Sequence, residues 1–240
     1  MTVIKQAIVL AGGLGTRLRG KVPELPKTLA PIAGRPFLAY LMEFFLSRGV
    51  YEFIFAVGYK KDLILEFLKT LPSTVQWQVS IESEPLGTGG AIRKACRLTG
   101  YEHSLILNGD SFFAIDPGML SVQHGNTGAD CTLALKHMAH ADRYGLVTLN
   151  SESRISSFVE KKAQATGLIN GGIYALRVDA LLSQSLPEKF SFENDFLEKE
   201  FVKGKIFGQP QDGYFIDIGV PEDYERAQRE LPEQIKKLHA

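Results

Sequence analysis

The sequence predicts an α/β protein: a doubly wound, mixed and mainly parallel sheet with helices on both faces, in a single domain over residues 1–240. Three observations predict it. In the first half, four short apolar runs alternate with three helix-like segments, the pattern of right-handed βαβ units. The second half is richer in strand candidates, yet no Pro/Gly/Ser-rich linker divides the two, so the sheet continues instead of restarting. At 240 residues, 45% hydrophobic and 22% charged, the chain can bury one full core.

The elements follow in order. Ala7, Ile8, Val9 and Leu10 form a buried strand that stops at Gly12, Gly13 and Gly15. Pro36 then opens a helix of about a dozen residues whose face is Phe37, Leu38, Leu41, Phe44 and Phe45, closed by Gly49. A second strand covers 53–57, ending at Gly58, and a second helix 62–71. Residues 75–81 alternate, which places Val75, Trp77, Val79 and Ile81 on one buried face of a strand. A third helix covers 89–98, and a fourth strand, 104–107, runs into Asn108-Gly109-Asp110. In such a sheet ligands sit beyond the carboxyl ends of the strands, where the winding reverses. Strand order 3-2-1-4 would bring the loop after strand one and Asp110 to one crevice.

Beyond residue 115 the strand candidates are 129–136, 146–149, 155–159, 171–176, 205–208 and 214–218, with helices at 116–124, 178–182, 192–201 and 221–231. We read 1–115 and 116–240 as the two halves of this single domain. Past Asp223 the chain is highly charged, with Pro232 breaking it, which predicts a solvated terminal helix.

Composition excludes several classes. Lys+Arg and Asp+Glu are both 27, so no overall field draws the chain to nucleic acid or an anionic membrane. Cys96 and Cys131 are far apart in apolar segments, which predicts reduced core cysteines. The first apolar run is too short for a signal peptide and no 18-residue apolar stretch occurs, so a cytoplasmic location is expected. Histidine is absent from every segment singled out for chemistry, and His137 and His140 read as surface residues.

Chemistry concentrates after strand one. Three glycines precede Arg17, Arg19, Lys21 and Lys27, with only Glu24 opposing them. Without Cβ atoms the loop's N–H groups can close on an oxyanion, and the cations suit a polyphosphate. A Walker loop is excluded, because Thr16-Arg17-Leu18 stands where Gly-Lys-Ser/Thr is required. Leu18 is too large for a dinucleotide fingerprint. A plain strand-to-loop turn with a solvated basic face stays open. Asp110 and Asp217 each end an apolar strand, so each carboxylate emerges at a strand's carboxyl edge. Mg²⁺ held by one or two carboxylates plus phosphate oxygens fits such a pair, and a turn-forming role is the alternative. Attack by one phosphate on another needs no general base, only positioning and neutralised charge.

Three further segments are candidates. In Glu84-Pro85-Leu86-Gly87-Thr88-Gly89-Gly90 the glycines permit close approach of a planar ligand, Glu84 can accept from a guanine edge, and Thr88 alternatively caps the helix. Glu160 and Lys161 end a strand, glutamate suiting a sugar hydroxyl and lysine a phosphate, or they form a solvated pair. Asn170-Gly171-Gly172 reads as a turn or as a reader of hydroxyls. Ser191 most simply caps the helix that follows.

Leu10-Ala11-Gly12-Gly13-Leu14-Gly15-Thr16-Arg17, Pro26-Lys27, Asn108-Gly109-Asp110, Phe158 to Lys161, Asn170 to Gly172 and Ile216 to Tyr224 together resemble the sugar-1-phosphate nucleotidylyltransferases, over nearly the whole chain and in the family's order. Arg17-Leu18-Arg19, Glu84 to Ala91, Ser111 after Asp110, Arg143-Tyr144-Gly145 and Gly213 to Asp217 look most like the guanylyltransferases acting on D-glycero-α-D-manno-heptose 1-phosphate. The resemblance implies a Rossmann-like, GT-A-like nucleotidyltransferase fold without the carboxy-terminal β-helix of some relatives. It also implies a role in GDP-heptose and cell-surface polysaccharide biosynthesis. Its implied substrates are a nucleoside triphosphate, GTP favoured, bound by the half 1–115, and a sugar 1-phosphate, bound by the half 116–240. Leu10, Ala11, Gly12, Gly13, Gly15, Thr16, Glu84, Gly87 and Thr88 would bind the nucleotide. Arg17 and Lys27 would neutralise the triphosphate, with Mg²⁺ on Asp110 and Asp217. Lys161 would hold the sugar phosphate, and Gly145, Glu160 and Asn170 the sugar. Alternatives are a muramic-type uridylyltransferase, a mannose-1-phosphate guanylyltransferase and a non-catalytic sugar-nucleotide sensor. A homodimer is compatible with all of them.

Overall fold

The computed structural model describes residues 3–238 apart from 14, 16, 17, 19, 142 and 160–165. In chain order the strands are β1 (Gln6–Leu10), β2 (Pro31–Ile32), β3 (Arg35–Pro36), β4 (Glu52–Val57), β5 (Gln76–Ile81), β6 (His103–Asn108), β7 (Ser111–Phe113), β8 (Cys131–Met138), β9 (Leu146–Leu149), β10 (Ile155–Val159), β11 (Gly167–Arg177), β12 (Ile206–Pro210) and β13 (Phe215–Asp217). The helices are α1 (Phe37–Ser47), α2 (Lys61–Leu68), α3 (Gly87–Cys96), α4 (Pro117–Thr127), α5 (Val178–Leu182), α6 (Glu198–Glu200) and α7 (Pro221–Leu238).

Among the described residues nine strands form one sheet, with β5, β4, β1 and β6 adjacent and parallel, which is the order 3-2-1-4. β11 adds antiparallel to β6, so the second half extends the first half's sheet. Successive strand residues face opposite layers: Val9, Phe55 and Leu107 pack into one apolar layer, Ile8, Ile54 and Ile106 into the other. Each fully buried side chain of this kind contributes about 1.5–3 kcal/mol. Cys96 and Cys131 are buried and unpaired, and burial pushes the Cys96 thiol up to about 12. His124, also buried, is held down to about 3, chiefly by burial, and contacts His103 and Thr132; His137 and His140 are exposed.

The structure corrects several expectations. β5 is a sheet edge, and the alternation holds for Val75, Trp77 and Val79, which pack into the layer of Val9, but fails at the strand's end, where Ile81 is 42% exposed while Ser80 is buried. Asn170-Gly171-Gly172 is no turn between strands but a bulge inside β11, where the register with β8 breaks. Before the bulge β11 pairs β9, and after it β6, so the bulge lets one strand change partner. Pro232 lies within α7 and does not end it. The helix keeps going because Ala227, Leu231 and Ile235, four residues apart, are buried together, which offsets the lost backbone bond. Residues 192–201 begin as a π-helical turn, Phe192–Leu197, capped by Ser191, whose Oγ accepts from Asn194 N at 3.2 Å.

Candidate active site

A cavity of about 680 Å³ opens at the carboxyl ends of the parallel strands, within the range of small-molecule sites. Leu10, Gly12, Gly13 and Gly15 form one wall, Glu84, Gly87 and Thr88 another, and Lys27 and Asp110 the floor, with Gly219 the contribution of the second half. Ala11 does not line it: the residue is buried and its N–H donates to Ala56 O, prolonging the β1 ladder. Gly145 and Asn170 lie outside the cavity lining. Thr16, Arg17, Glu160 and Lys161 lie outside the described residues.

The two aspartates converge. Lys27 Nζ donates to Asp110 Oδ2 at 2.7 Å and to Asp217 Oδ1 at 3.3 Å. The device that joins them is a short ribbon absent from the sequence reading: β7 and β13 pair antiparallel, setting Asp217 opposite Ser111, one residue after Asp110. Ile218 N also donates to Asp110 O at 3.0 Å. Burial and the neighbouring Asp110 charge hold the Asp217 carboxyl above the usual carboxylate range, opposed by Lys27 and the Gly219 N–H. Among the described residues no three His, Cys, Asp or Glu side chains group as a metal cage. Two carboxylates within reach of one cation suit Mg²⁺, which commonly takes the rest of its shell from phosphates and water.

Packing separates the glycines by purpose. A Cβ on Gly12 would lie 2.8 Å from Glu82 Oε1, and one on Gly15, at φ +57°, 3.0 Å from Lys27 Cβ. A Cβ on Gly13 meets nothing within 4 Å, so the bare backbone there faces the open cavity. The glycines at 89 and 90, read from sequence as making room for a ligand, make room for protein instead. A Cβ on Gly89 would strike the Phe190 ring and one on Gly90 Glu188 O. Thr88 does not cap α3; its Oγ1 accepts from Phe192 N at 2.9 Å. Asn170 supports the β11 bulge, accepting from Gly172 N and donating to Tyr174 Oη and Glu193 Oε1.

Glu82 is the acid that sequence reasoning missed. It lines the cavity half-buried, accepts from Leu86 N at 3.0 Å, and burial raises its carboxyl above the ordinary value, whereas Glu84 is exposed. A raised folded-state carboxyl contributes stability that is fully present below the unfolded pKa and lost as pH rises through the folded one. Glu82→Gln keeps an acceptor for Leu86 N without the buried charge. Calorimetry is therefore expected to show it melting above the parent at pH 8, with the difference vanishing near pH 4; an equal difference at both would contradict the burial argument. In the Ile216 to Tyr224 motif, Asp223 is buried and pairs with Arg143 and Arg226, and Tyr224 Oη donates to Pro31 O, so these residues dock α7 beside the site.

The sequence profile of the nucleotidyl transferase family matches residues 6–234. The chain is 46% identical to the D-glycero-alpha-D-manno-heptose 1-phosphate guanylyltransferase of Aneurinibacillus thermoaerophilus, over 96% of this chain and 100% of that one. It is also 46% identical to the protein of the same name from Campylobacter jejuni, over 91% and 96%. The crystal structure of HddC from Yersinia pseudotuberculosis superposes with a TM-score of 0.84 at 36% identity, covering 95% of this chain and 99% of that one. A second HddC structure, complexed with GMP-PN, superposes at 0.82.

Proposed function

The chain belongs to the nucleotidyl transferase family, and from that premise we propose that it transfers the guanylyl group of GTP to D-glycero-α-D-manno-heptose 1-phosphate, giving GDP-heptose and pyrophosphate. The observation that carries the reaction is the meeting of Asp110, Asp217 and Lys27 at a glycine-walled cavity that Lys27 and Asp110 line, with Asp217 joined to it through Lys27. Full-length likeness to two heptose 1-phosphate guanylyltransferases supports the choice of substrates.

In this reading the Gly12 to Gly15 backbone cradles the triphosphate, with open space where a Cβ on Gly13 would stand. Lys27 and Arg17 neutralise its charge. Asp110 and Asp217 hold Mg²⁺, which when bound offsets the charge on the transferring phosphate. Lys161 holds the sugar phosphate, while Glu160, Asn170 and Gly145 contact the sugar. The sugar phosphate oxygen, already anionic, attacks the α-phosphorus in line as pyrophosphate leaves, so no side chain need remove a proton. Glu84 and Glu82 are the carboxylates available to a guanine's N1–H and N2–H₂ edge, and half-buried Glu82 is the better screened from water. Among the described residues no helix is long and apolar enough to cross a membrane, and we assign the reaction to the cytoplasm.

Pyrophosphate release from a panel of nucleoside triphosphates crossed with heptose, mannose, glucose and muramic-type 1-phosphates tests this. GTP with the heptose is expected to be turned over fastest, and Glu82→Gln to raise the KM for GTP. Fastest turnover of UTP with a muramic sugar would overturn the substrates; nucleotide binding without pyrophosphate release would make the chain a sensor.

A further inference from the structure

Lys27 stands where a divalent ion would. Its ammonium is within hydrogen-bond distance of both aspartates, and the side chain is only 10% exposed. The arrangement is built for it. A Cβ on Gly219 would lie 3.0 Å from Lys27 Nζ and 2.9 Å from Asp217 Oδ1, so glycine there admits the ammonium between the carboxylates. From the other side, Gly15 at φ +57° packs its backbone against Lys27 Cβ. An ammonium and a metal ion then compete for the same oxygens, and a double positive charge beside a single one at this range is strongly repelled.

We propose that the Lys27 ammonium, admitted by Gly219, is a placeholder that occupies the divalent-cation position until a metal–triphosphate complex arrives, and then leaves the carboxylates for the phosphates. The inference rests on the reading of Asp110 and Asp217 as metal ligands. Its consequence is an order of binding. The free protein holds a bare divalent cation weakly, and cation and nucleotide enter together. The carboxylate pair, 40% and 30% exposed, is at no stage left without a counter-charge beside it.

Mn²⁺ titrated into nucleotide-free protein, with free ion followed by electron paramagnetic resonance, tests this without any turnover. Lys27→Met is expected to bind Mn²⁺ at least about tenfold more tightly than the parent, removal of a competing positive charge being the cause. Lys27→Gln, which keeps a polar side chain but not the charge, should shift affinity the same way, and thermal melts report whether each variant is folded. In either background Asp110→Asn should abolish the binding. Equal affinity in the parent and both variants, with Asp110→Asn still abolishing it, overturns the placeholder alone. Binding that survives Asp110→Asn overturns the metal-ligand reading and this inference together.

Discussion

Asp110→Asn is expected to lower metal-dependent pyrophosphate release by at least about 100-fold, the scale on which single electrostatic stabilisers act in other enzymes. The substitution keeps the side chain's size and leaves β7 and the Ile218 N–H bond to the main chain untouched, so the protein should stay folded. It removes one of the two anionic acceptors beside Lys27. It also removes the charge that helps hold the Asp217 carboxyl up, so that group should fall toward its ordinary value and the variant should not lose stability at neutral pH. Asp217→Asn should be comparably impaired. The double variant should be little worse than either single one, because groups acting as a unit are not additive. Lys69→Ala, which deletes an exposed ion pair with Glu66 on α2, serves as control and should run at the parental rate. Turnover by Asp110→Asn within about threefold of the parent would remove the carboxylate pair from the mechanism.

Where the sequence was legible, the reason is physical. The central strands are continuous apolar runs ended by glycine, and burial on both faces leaves little other way to read Ala7 to Leu10 or residues 53–57. Ser191 announced a helix start by residue type alone. What failed to show depends on distant partners. The strand at 214–218 was legible, but its partner β7 is three residues long with no periodicity of its own, and that pairing is what sets Asp217 beside Asp110. Glu82 and Glu84 have the same parity on the chain. Only the approach of Gly12 and Gly58, remote in sequence, makes Glu82 the half-buried one. The bulge at Asn170 likewise answers to two neighbouring strands that take turns along β11.

The same dependence on distant partners sets the largest stability effect. Gly87 begins α3 at φ +71°, a region that costs an L-residue about 1–2 kcal/mol. A Cβ there would also lie 2.5 Å from the main-chain oxygen of Phe190, and overpacking against backbone costs about 1–3 kcal/mol. Phe190 cannot simply withdraw, because its N–H donates to Leu86 O and its O accepts from Gly89 N. Gly87→Ala is therefore expected to lose roughly 2–5 kcal/mol, a fall in melting temperature of roughly 5–15 °C for a chain of this length. The displacement should travel. Thr88 is bonded to Phe192 N, and the next residue, Glu193, to Asn170 and Tyr174, so moving residues 188–192 disturbs the cavity wall on one side and the β11 bulge on the other. A raised KM for GTP should accompany the lost stability. Gly100→Ala, where a Cβ meets nothing within 4 Å and φ is not positive, is the matched control and should melt with the parent. If Gly87→Ala melts within about 2 °C of it, the docking of the 188–190 segment onto α3 is not what requires glycine at this position.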